Sequence, residues 1–449
     1  MKLSALYLQL STLLQSLWNS DSSSLKNSRI EREQPMESSE EIKWTLMPDG
    51  RGDVRVAILD GLMPGSEPDV QDSVKFLLYT RQNTKKPEVG KMNSTCRPVF
   101  KYFNPKRQSK ILIHGFGDDS TSSLMYPVLT EAFLAKGDYN VFQVDWGELA
   151  AIPWYSSAKR ATVPVGQHTA SLIDYLSMTK RGRAGDFHLV GFSLGAHTAG
   201  IAAQNVQTGN VYRITGLDPA QVMYGSTGAE ERLDQQDARI VEIVHTSGGY
   251  LGYQDPLGTR DFYPNGGSWP QPGCTYDFAS VCSHRRAYYY FGEAVKDERG
   301  FTAVPCPNYD EFEAGHCPNS SAVVILGENP SPDYSGTFFL DTNPEPPFGR
   351  VQSLPRKRRR MKRRKFETRR EESLPNSGRR HIYSSLILIS FLGQHEKCRK
   401  LTNNTIFSNK TRACFHSKPL IFSRRSTLPY DNFQRCRCFW LQHERAWKN

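Results

Sequence analysis

Long hydrophobic runs are missing from this sequence of 449 residues. The longest apolar run in its C-terminal part, residues 386–392, is much shorter than the ~20 residues that a transmembrane helix needs. C-x-x-C spacing, which is typical of structural zinc sites, is also absent among its nine cysteines. We therefore expect a soluble or peripheral protein, and we favour disulfides over zinc for its closely spaced cysteines.

Acidic residues are scarce at the C-terminal end. Residues 350–449 contain 26 Lys and Arg against 6 Asp and Glu, so they carry +20 whereas the whole chain carries +11. Nine of the ten residues from 356 to 365 are basic, and such a run does not pack because like charges repel. We predict a basic, unstructured tail over residues 348–449. The alternatives are a nuclear signal, polyanion (heparin) binding and contact with an anionic membrane.

The N-terminal region also lacks a clear targeting signal. Residues 1–20 resemble a weak signal peptide, because polar residues dilute the apolar stretch and no small-x-small cleavage site follows. Residues 21–50 are predicted to be a flexible polar segment.

Two close cysteine pairs, 274/282 and 306/317, suggest disulfides and an oxidising compartment, so we expect an extracellular protein. This conflicts with the nuclear alternative, and we expect no nucleic-acid partner. The pairing of Cys96 and of the four tail cysteines stays open.

Strands and helices alternate between these two ends. The hydrophobic pattern predicts strands at 74–80, 109–114, 139–145, 186–190, 211–218, 239–245, 322–326 and 336–341, and helices at 124–135, 167–178, 196–204 and 283–295. This alternation is typical of a mostly parallel sheet with helices on both faces. We therefore predict an α/β domain over residues 51–347.

The most informative motif is Gly-Phe-Ser-Leu-Gly at residues 191–195. It has the form G-x-S-x-G between a predicted strand and a predicted helix, which is the context of a nucleophile elbow. Gly191 and Gly195 are needed because a side chain there would collide with the neighbouring strand or helix. The helix also directs its free N–H groups at a developing oxyanion. The motif predicts that Ser193 is a nucleophile.

A serine nucleophile needs a base and an acid that orients the base. Asp218 ends a predicted strand 25 residues after Ser193, where the next sheet edge would place a carboxylate, although a structural Asp is the alternative. The candidate bases after Asp218 are His245, His284 and His316. Local sequence favours His284, which lies beside a cysteine at a loop-to-helix junction, over His245, which ends a strand and would then be structural.

The oxyanion needs two N–H donors. One is expected from Leu194, which follows the nucleophile, and the other from the loop after an earlier strand. Residues 113–117, Ile-His-Gly-Phe-Gly, end such a strand, and the candidate donor there is Phe116.

Six motifs in order resemble the pancreatic lipase family, its insect neutral lipases and sn-1 phospholipases most. They are Ile-His-Gly-Phe at 113–116, Val-Asp-Trp-Gly at 144–147, Gly-Phe-Ser-Leu-Gly-Ala-His at 191–197, Gly-Leu-Asp-Pro-Ala at 216–220, Asp-Phe-Tyr-Pro-Asn-Gly-Gly at 261–267 and Cys-Ser-His-x-Arg at 282–286. The resemblance covers about residues 55–345.

The resemblance implies an α/β-hydrolase fold and a Ser193–Asp218–His284 triad. It also implies Phe116 and Leu194 as oxyanion donors, and the disulfides Cys274–Cys282 and Cys306–Cys317. The implied activity is that of a secreted serine esterase cleaving acyl esters of glycerolipids, either phospholipids at sn-1 or neutral acylglycerols. A non-catalytic lipid-binding or yolk-type homologue is the alternative, although such homologues lose the serine that is present here.

The sequence departs from the pancreatic pattern in its lid. The loop between Cys274 and Cys282 has seven residues, which are too few to cover a triglyceride-sized cleft. This favours phospholipid as substrate, at a lipid surface. The C-terminal β-sandwich of the pancreatic enzymes has no counterpart in the sequence pattern, so no colipase partner is expected.

The calcium site of the family is altered as well. Arg232, Asp234 and Asp237 match its motif, but Ala229 lies where the family has a glutamate, and the adjacent Glu230 would point elsewhere. Calcium requires six or more oxygen ligands. We therefore expect no required cofactor and no tight calcium binding.

Overall fold

The computed structural model describes residues 42–65, 68–93, 97–180, 182–318, 323–329 and 334–350. The predicted signal peptide, residues 21–41 of the predicted flexible segment and the tail beyond Arg350 lie outside the described residues, as do Cys96 and the four tail cysteines. Within the described part, no helix combines the length and the apolar character needed to cross a bilayer.

An eleven-stranded sheet dominates the described residues, and a separate two-stranded hairpin lies before it. The hairpin consists of β1 (Trp44–Pro48) and β2 (Val54–Ile58). The strands of the large sheet are β3 (Lys75–Tyr79), β4 (Glu88–Gly90), β5 (Ser109–Ile113), β6 (Asn140–Asp145), β7 (Phe187–Phe192), β8 (Arg213–Leu217), β9 (Ile240–Val244), β10 (Arg260–Pro264), β11 (Thr302–Pro305), β12 (Val324–Ile325) and β13 (Gly336–Leu340). Their spatial order is β12-β11-β13-β10-β9-β8-β7-β5-β6-β3-β4.

The helices connect these strands. They are α1 (Val70–Ser73), α2 (Met125–Lys136), α3 (Tyr155–Lys180), α4 (Leu194–Asn205), α5 (Val281–Lys296) and α6 (Tyr309–Ala314). Helices α3 and α4 pack against each other, and so do α2 and α5.

The centre of the sheet is parallel and its two edges are antiparallel. Strands β6, β5, β7, β8, β9, β10 and β13 pair in parallel, and β3, β4, β11 and β12 complete the edges antiparallel. Across the centre, Ile113 pairs with Gly191, Gly191 with Gly216, and Gly216 with Ile243. The carboxyl ends of four strands therefore meet at one edge, which is where ligands bind in open α/β sheets.

Two hydrophobic cores lie on opposite faces of this sheet. Successive strand residues point to opposite faces, so Ile111 and Ile113 of β5 join one core and Leu112 joins the other. Leu172 of α3 belongs to the first core and Phe133 of α2 to the second. Because both faces are covered, the central strands have continuous apolar runs rather than alternating ones. This architecture confirms the predicted α/β-hydrolase fold.

The folded region is wider than the predicted 51–347. The prediction that residues 21–50 are flexible is wrong for residues 44–48, which form β1. The turn after β1 is fixed by Asp49, whose Oδ1 accepts hydrogen bonds from the amides of Arg51 (3.0 Å) and Asp53 (2.9 Å). At the other end, the amides of Phe348 and Gly349 each donate to the Glu293 carboxylate at 2.8 Å, so these two residues belong to the fold and not to the tail.

Helix α3 is longer than the predicted helix at 167–178. It begins at Tyr155 and contains Pro164. A proline and a nearby glycine normally indicate a helix end. Gly166 lies here because helix α4 approaches closely, and a Cβ at this position would be 2.7 Å from Ile201 Cγ2. Strands β4, β10 and β11 were not predicted either.

Candidate active site

Ser193 lies at the sharp turn between β7 and α4. Its backbone has φ 55° and ψ −121°, a conformation rare for a residue with a side chain, and its amide donates to Leu217 O at 3.1 Å. A Cβ on Gly191 would lie 2.1 Å from Gly195 O, and one on Gly195 would lie 2.2 Å from Ile113 O. Only glycine fits at both positions, so the motif forms a strained turn that presents Ser193 at the sheet edge.

Asp218 and His284 are in direct contact. Asp218 follows β8, His284 lies in the first turn of α5, and Asp218 Oδ2 is 2.5 Å from His284 Nδ1. The other oxygen, Oδ1, accepts from the amides of Thr246 at 2.7 Å and Ser247 at 3.0 Å. Two amide donors stabilise a charged carboxylate, and its second oxygen fixes the imidazole orientation. The Phe192 ring, with its centroid 4.5 Å from that of His284, covers the imidazole.

Ser193 and His284 line the same cleft. No hydrogen bond joins their side chains, although in unliganded sites such bonds are often long and shorten only on binding. Nε2 of His284 also has no protein partner in the described part of the chain, so it is available to the cleft. The cleft is lined by Met47, Pro48, Asp49, Gly50, Gly115, Phe116, Asp118, Leu124, Met125, Tyr155, Phe192, Ser193, Ala220, Leu251, His284, Arg285 and Tyr288.

His245, the alternative base, lies in a different environment. Its Nδ1 is 2.8 Å from Tyr253 O, its Nε2 is 2.9 Å from Asp261 Oδ1, and the Tyr263 ring stacks on it at 4.3 Å. Both ring nitrogens are therefore in use, and the side chain is fully buried. His316, the third candidate, is exposed beside Glu311.

The loop after β5 lies directly against the nucleophile. A Cβ on Gly115 would be 2.9 Å from Ser193 Cβ, so this glycine lets the loop approach. The loop is fixed by Trp146, whose Nε1 donates to His114 O at 3.1 Å and whose amide donates to His114 Nε2 at 3.2 Å. Phe116 lines the cleft from this loop, and Leu194 begins α4, where the first N–H groups have no acceptor within the helix.

The structure forms both predicted disulfides. Cys274–Cys282 closes the short loop, with its Cα atoms 5.7 Å apart, and Cys306–Cys317 joins the end of β11 to the segment after α6. Inside the short loop, the Asp277 carboxylate accepts from the amides of Cys282 at 2.8 Å and Ser283 at 3.0 Å. These bonds cap α5 at the turn that carries His284.

Two groups at the cleft were missed by sequence reasoning. The β1–β2 hairpin contributes Met47, Pro48, Asp49 and Gly50, and α5 contributes Arg285. Pro-Asp-Gly at residues 48–50 is a recognisable turn sequence and could have predicted the hairpin. Its position over the cleft could not have been predicted locally.

The residues that match the calcium motif of the family surround the side-chain amide of Gln204. Gln204 Nε2 lies 3.0 Å from Ala229 O, 3.2 Å from Arg232 O and 2.9 Å from Asp237 Oδ1. The Asp237 carboxylate also accepts from the amide of Asp234 at 2.8 Å, through Oδ2.

Comparison with known proteins agrees with this geometry. The sequence matches the family described as Lipase over residues 61–348. The chain belongs to the lipase family. This confirms the resemblance seen in the six motifs and the fold that it implied.

Individual relatives match part of their own length. The chain is 36% identical over 260 residues to lipase member H-A of Xenopus laevis, covering 56% of this chain and 55% of that protein. It is 34% identical over 254 residues to lipase member H of Oryctolagus cuniculus, covering 55% and 54%. It is 33% identical over 295 residues to pancreatic lipase-related protein 2 of Cavia porcellus, covering 62% and 66%. The chain thus spans about half to two thirds of these relatives.

Proposed function

We propose that this lipase-family chain is a serine esterase that hydrolyses acyl ester bonds of glycerolipids. The observation that carries the proposal is the contact of buried Asp218 with His284, which lines the same cleft as the strained Ser193. An ionised carboxylate, an oriented imidazole with a free nitrogen and a serine on a tight turn are the parts that acyl transfer needs.

Each side chain then has a role. His284 Nε2 accepts the Ser193 hydroxyl proton as Oγ attacks the ester carbonyl carbon, and Asp218 stabilises the imidazolium. The amides of Phe116 and Leu194 stabilise the oxyanion. His284 returns the proton to the leaving alcohol as the carbonyl–oxygen bond breaks, which leaves an acyl-enzyme. His284 then takes a proton from a water molecule that attacks the acyl carbon, and it returns this proton to Ser193 Oγ as the bond between Oγ and the acyl carbon breaks and the fatty acid leaves.

Phospholipid is the proposed substrate class, with neutral acylglycerol as the alternative. The Cys274–Cys282 loop is too short to cover a cleft of triglyceride size. Two of its side chains, Tyr276 and Phe278, are 98% and 57% exposed, which supports contact with a lipid surface. The two disulfides support an extracellular location. The basic tail is a candidate for contact with anionic lipid, and neither colipase nor nucleic acid is proposed as a partner.

We also propose that catalysis requires no metal. The oxygens of Ala229, Arg232 and Asp237 converge on the Gln204 amide, which donates hydrogen bonds where a cation would have to bind. Calcium needs six or more oxygen ligands around one point, so these residues do not fit it.

The metal proposal is tested by thermal unfolding with calcium and with a chelator. The wild type is expected to show the same Tm in both. Gln204→Glu replaces a donor by a carboxylate beside Asp237, so it should lose stability in chelator and recover it with calcium, whereas Gln82→Glu on an exposed turn should show no such dependence. A lower Tm of the wild type on chelation would contradict the proposal.

The enzymatic proposal is tested by hydrolysis of phosphatidylcholine and triolein with identification of the released chain. Ser193→Ala should lower both rates by at least about 10³-fold, while the exposed Ser171→Ala on α3 should change neither. Equal activity of Ser193→Ala and wild type would overturn the esterase assignment and favour the lipid-binding alternative. A strong preference for triolein would overturn the phospholipid assignment only.

A further inference from the structure

Arg285 lies next to His284 in α5 and faces the same cleft. Its side chain is half-buried and lines the cleft together with Ser193 and His284. The esterase chemistry proposed above gives this cation no role.

The guanidinium of Arg285 has only neutral partners in the described part of the chain. Nε donates to the Tyr288 hydroxyl at 2.7 Å, Nη2 to the Tyr289 hydroxyl at 3.1 Å, and Nη1 to Arg51 O at the long distance of 3.5 Å. The buried Arg213 and Arg260, by contrast, both pair with Glu242. A half-buried cation without a carboxylate partner favours an anion that is not part of the protein.

The carboxylates that line the cleft are engaged elsewhere. Asp49 pairs with Arg55 at 2.9 Å. Asp118 accepts from the amide of Asp119 at 2.9 Å and from Ser122 Oγ at 3.2 Å, and burial raises the pKa of its carboxyl. Neither carboxylate is hydrogen-bonded to Arg285, so neither forms an ion pair with its guanidinium.

The hairpin turn leaves room for this side chain. A Cβ on Gly52, which has φ +88°, would lie 1.8 Å from Arg285 Nη1, so a larger residue there would displace the guanidinium from this position. The neighbouring Arg286 differs. Its Nη2 donates to Pro272 O and Pro344 O at 3.0 Å each, and it stacks on Phe348 at 4.5 Å away from the cleft lining.

We propose that Arg285 binds the phosphodiester of a glycerophospholipid substrate and so determines specificity for phospholipid over neutral glycerolipid. This rests on the proposed esterase function. In a glycerophospholipid the phosphate is attached to the same glycerol as the scissile ester. Arg285 follows His284 in the sequence and lines the same cleft, so its guanidinium is well placed to bind that phosphate. An arginine donates charge-assisted hydrogen bonds to phosphate oxygens, and a neutral acylglycerol offers no such anion.

The test compares dioleoyl phosphatidylcholine with dioleoylglycerol, each at the same mole fraction in micelles of one neutral detergent. Arg285→Gln should lower kcat/KM for phosphatidylcholine by about 10- to 100-fold and leave dioleoylglycerol hydrolysis nearly unchanged, a loss typical of a hydrogen bond to a charged group. Arg285→Lys should retain part of the preference. The control is Arg299→Gln, which removes an equal charge from an exposed site outside the cleft lining and should alter neither substrate.

The outcomes separate this inference from the esterase proposal. If the wild type hydrolyses neither substrate, the esterase function fails. If Arg285→Gln lowers both rates equally, the residue only supports the fold and the inference is overturned. It is equally overturned if neither rate changes, or if the variant only relieves inhibition by added oleate, since Arg285 would then bind the product carboxylate.

Discussion

Two histidine–aspartate pairs lie at the carboxyl edge of the same parallel sheet, and they differ in what surrounds the imidazole. In the His284–Asp218 pair, one ring nitrogen binds the carboxylate and the other faces the cleft. In the His245–Asp261 pair, Asp261 binds one nitrogen and Tyr253 O the other. Both histidines are buried, at 2% and 0% exposure.

The difference shows that a carboxylate partner does not by itself make a histidine a base. A base needs a nitrogen that is free to exchange a proton with substrate. His245 has none, and its bonds connect β9, β10 and the loop that carries Tyr253. The second pair therefore fits a structural role, and the first fits catalysis.

Removing His284 should give the largest effect. His284→Gln leaves no group able to accept the Ser193 proton, so kcat on a soluble short-chain ester should fall by about 10³- to 10⁶-fold. Stopped-flow or endpoint release of the acid measures it. His316→Gln, at an exposed position, is the control and should retain full activity. Full activity in folded His284→Gln would remove the distinction between the pairs.

Removing His245 should affect stability instead. His245→Gln removes the donor to Tyr253 O or one of the donors to Asp261, whose Oδ1 also accepts from the amide of Leu257 at 2.9 Å, so the free energy of unfolding should fall by about 1–3 kcal/mol. Urea denaturation measures it, and kcat of the folded fraction should stay close to the wild-type value. A large loss of kcat at unchanged stability would instead assign the catalytic role to His245.

Local sequence was sufficient to predict Ser193, Asp218 and His284 as candidate catalytic residues. The elbow at Ser193 depends on glycines two residues away, and Asp218 and His284 follow it in the order that the sheet imposes. Sequence alone favoured His284 without excluding His245, because both follow a strand or loop near the same edge. Only the tertiary structure shows that Nδ1, the second ring nitrogen of His245, is hydrogen-bonded to the carbonyl oxygen of Tyr253.

The remaining features depend on distant contacts. The β1–β2 hairpin begins inside the segment predicted to be flexible, and its place beside the cleft is fixed by packing rather than by its own pattern. Arg285 stood in the motif beside His284, but its unpaired charge is visible only once the carboxylates have been placed. Helix α3 runs through Pro164 because α4 packs on it, which overrides the local preference of proline.

The smallest expected effect concerns the pH dependence of stability and another buried histidine, His197. His197 in α4 has Nε2 2.7 Å from Ala220 O, and its Nδ1 accepts from the amide of Leu233 at 3.2 Å. A proton on Nδ1 would oppose that amide, and burial lowers the pKa of His197 to about 3. The folded state therefore keeps it neutral where the unfolded chain, with a pKa of about 6.5, takes up a proton.

The sign of the pH effect follows from that difference. The folded pKa lies below the unfolded one, so the stabilisation by neutral His197 is complete above about pH 6.5 and is lost as pH falls toward 3. Between pH 7 and 5.5 this histidine should account for a loss of about 1 kcal/mol in the free energy of unfolding. His197→Asn should be less stable than the wild type at pH 7. Its free energy of unfolding, measured by urea denaturation, should fall by about 1 kcal/mol less between pH 7 and 5.5 than that of the wild type. An identical pH dependence in variant and wild type would mean that buried His197 takes up a proton as readily in the folded state as in the unfolded chain. Hydrogen bonds to both ring nitrogens would then not prevent proton uptake, and such bonds at His245 would no longer distinguish it from His284.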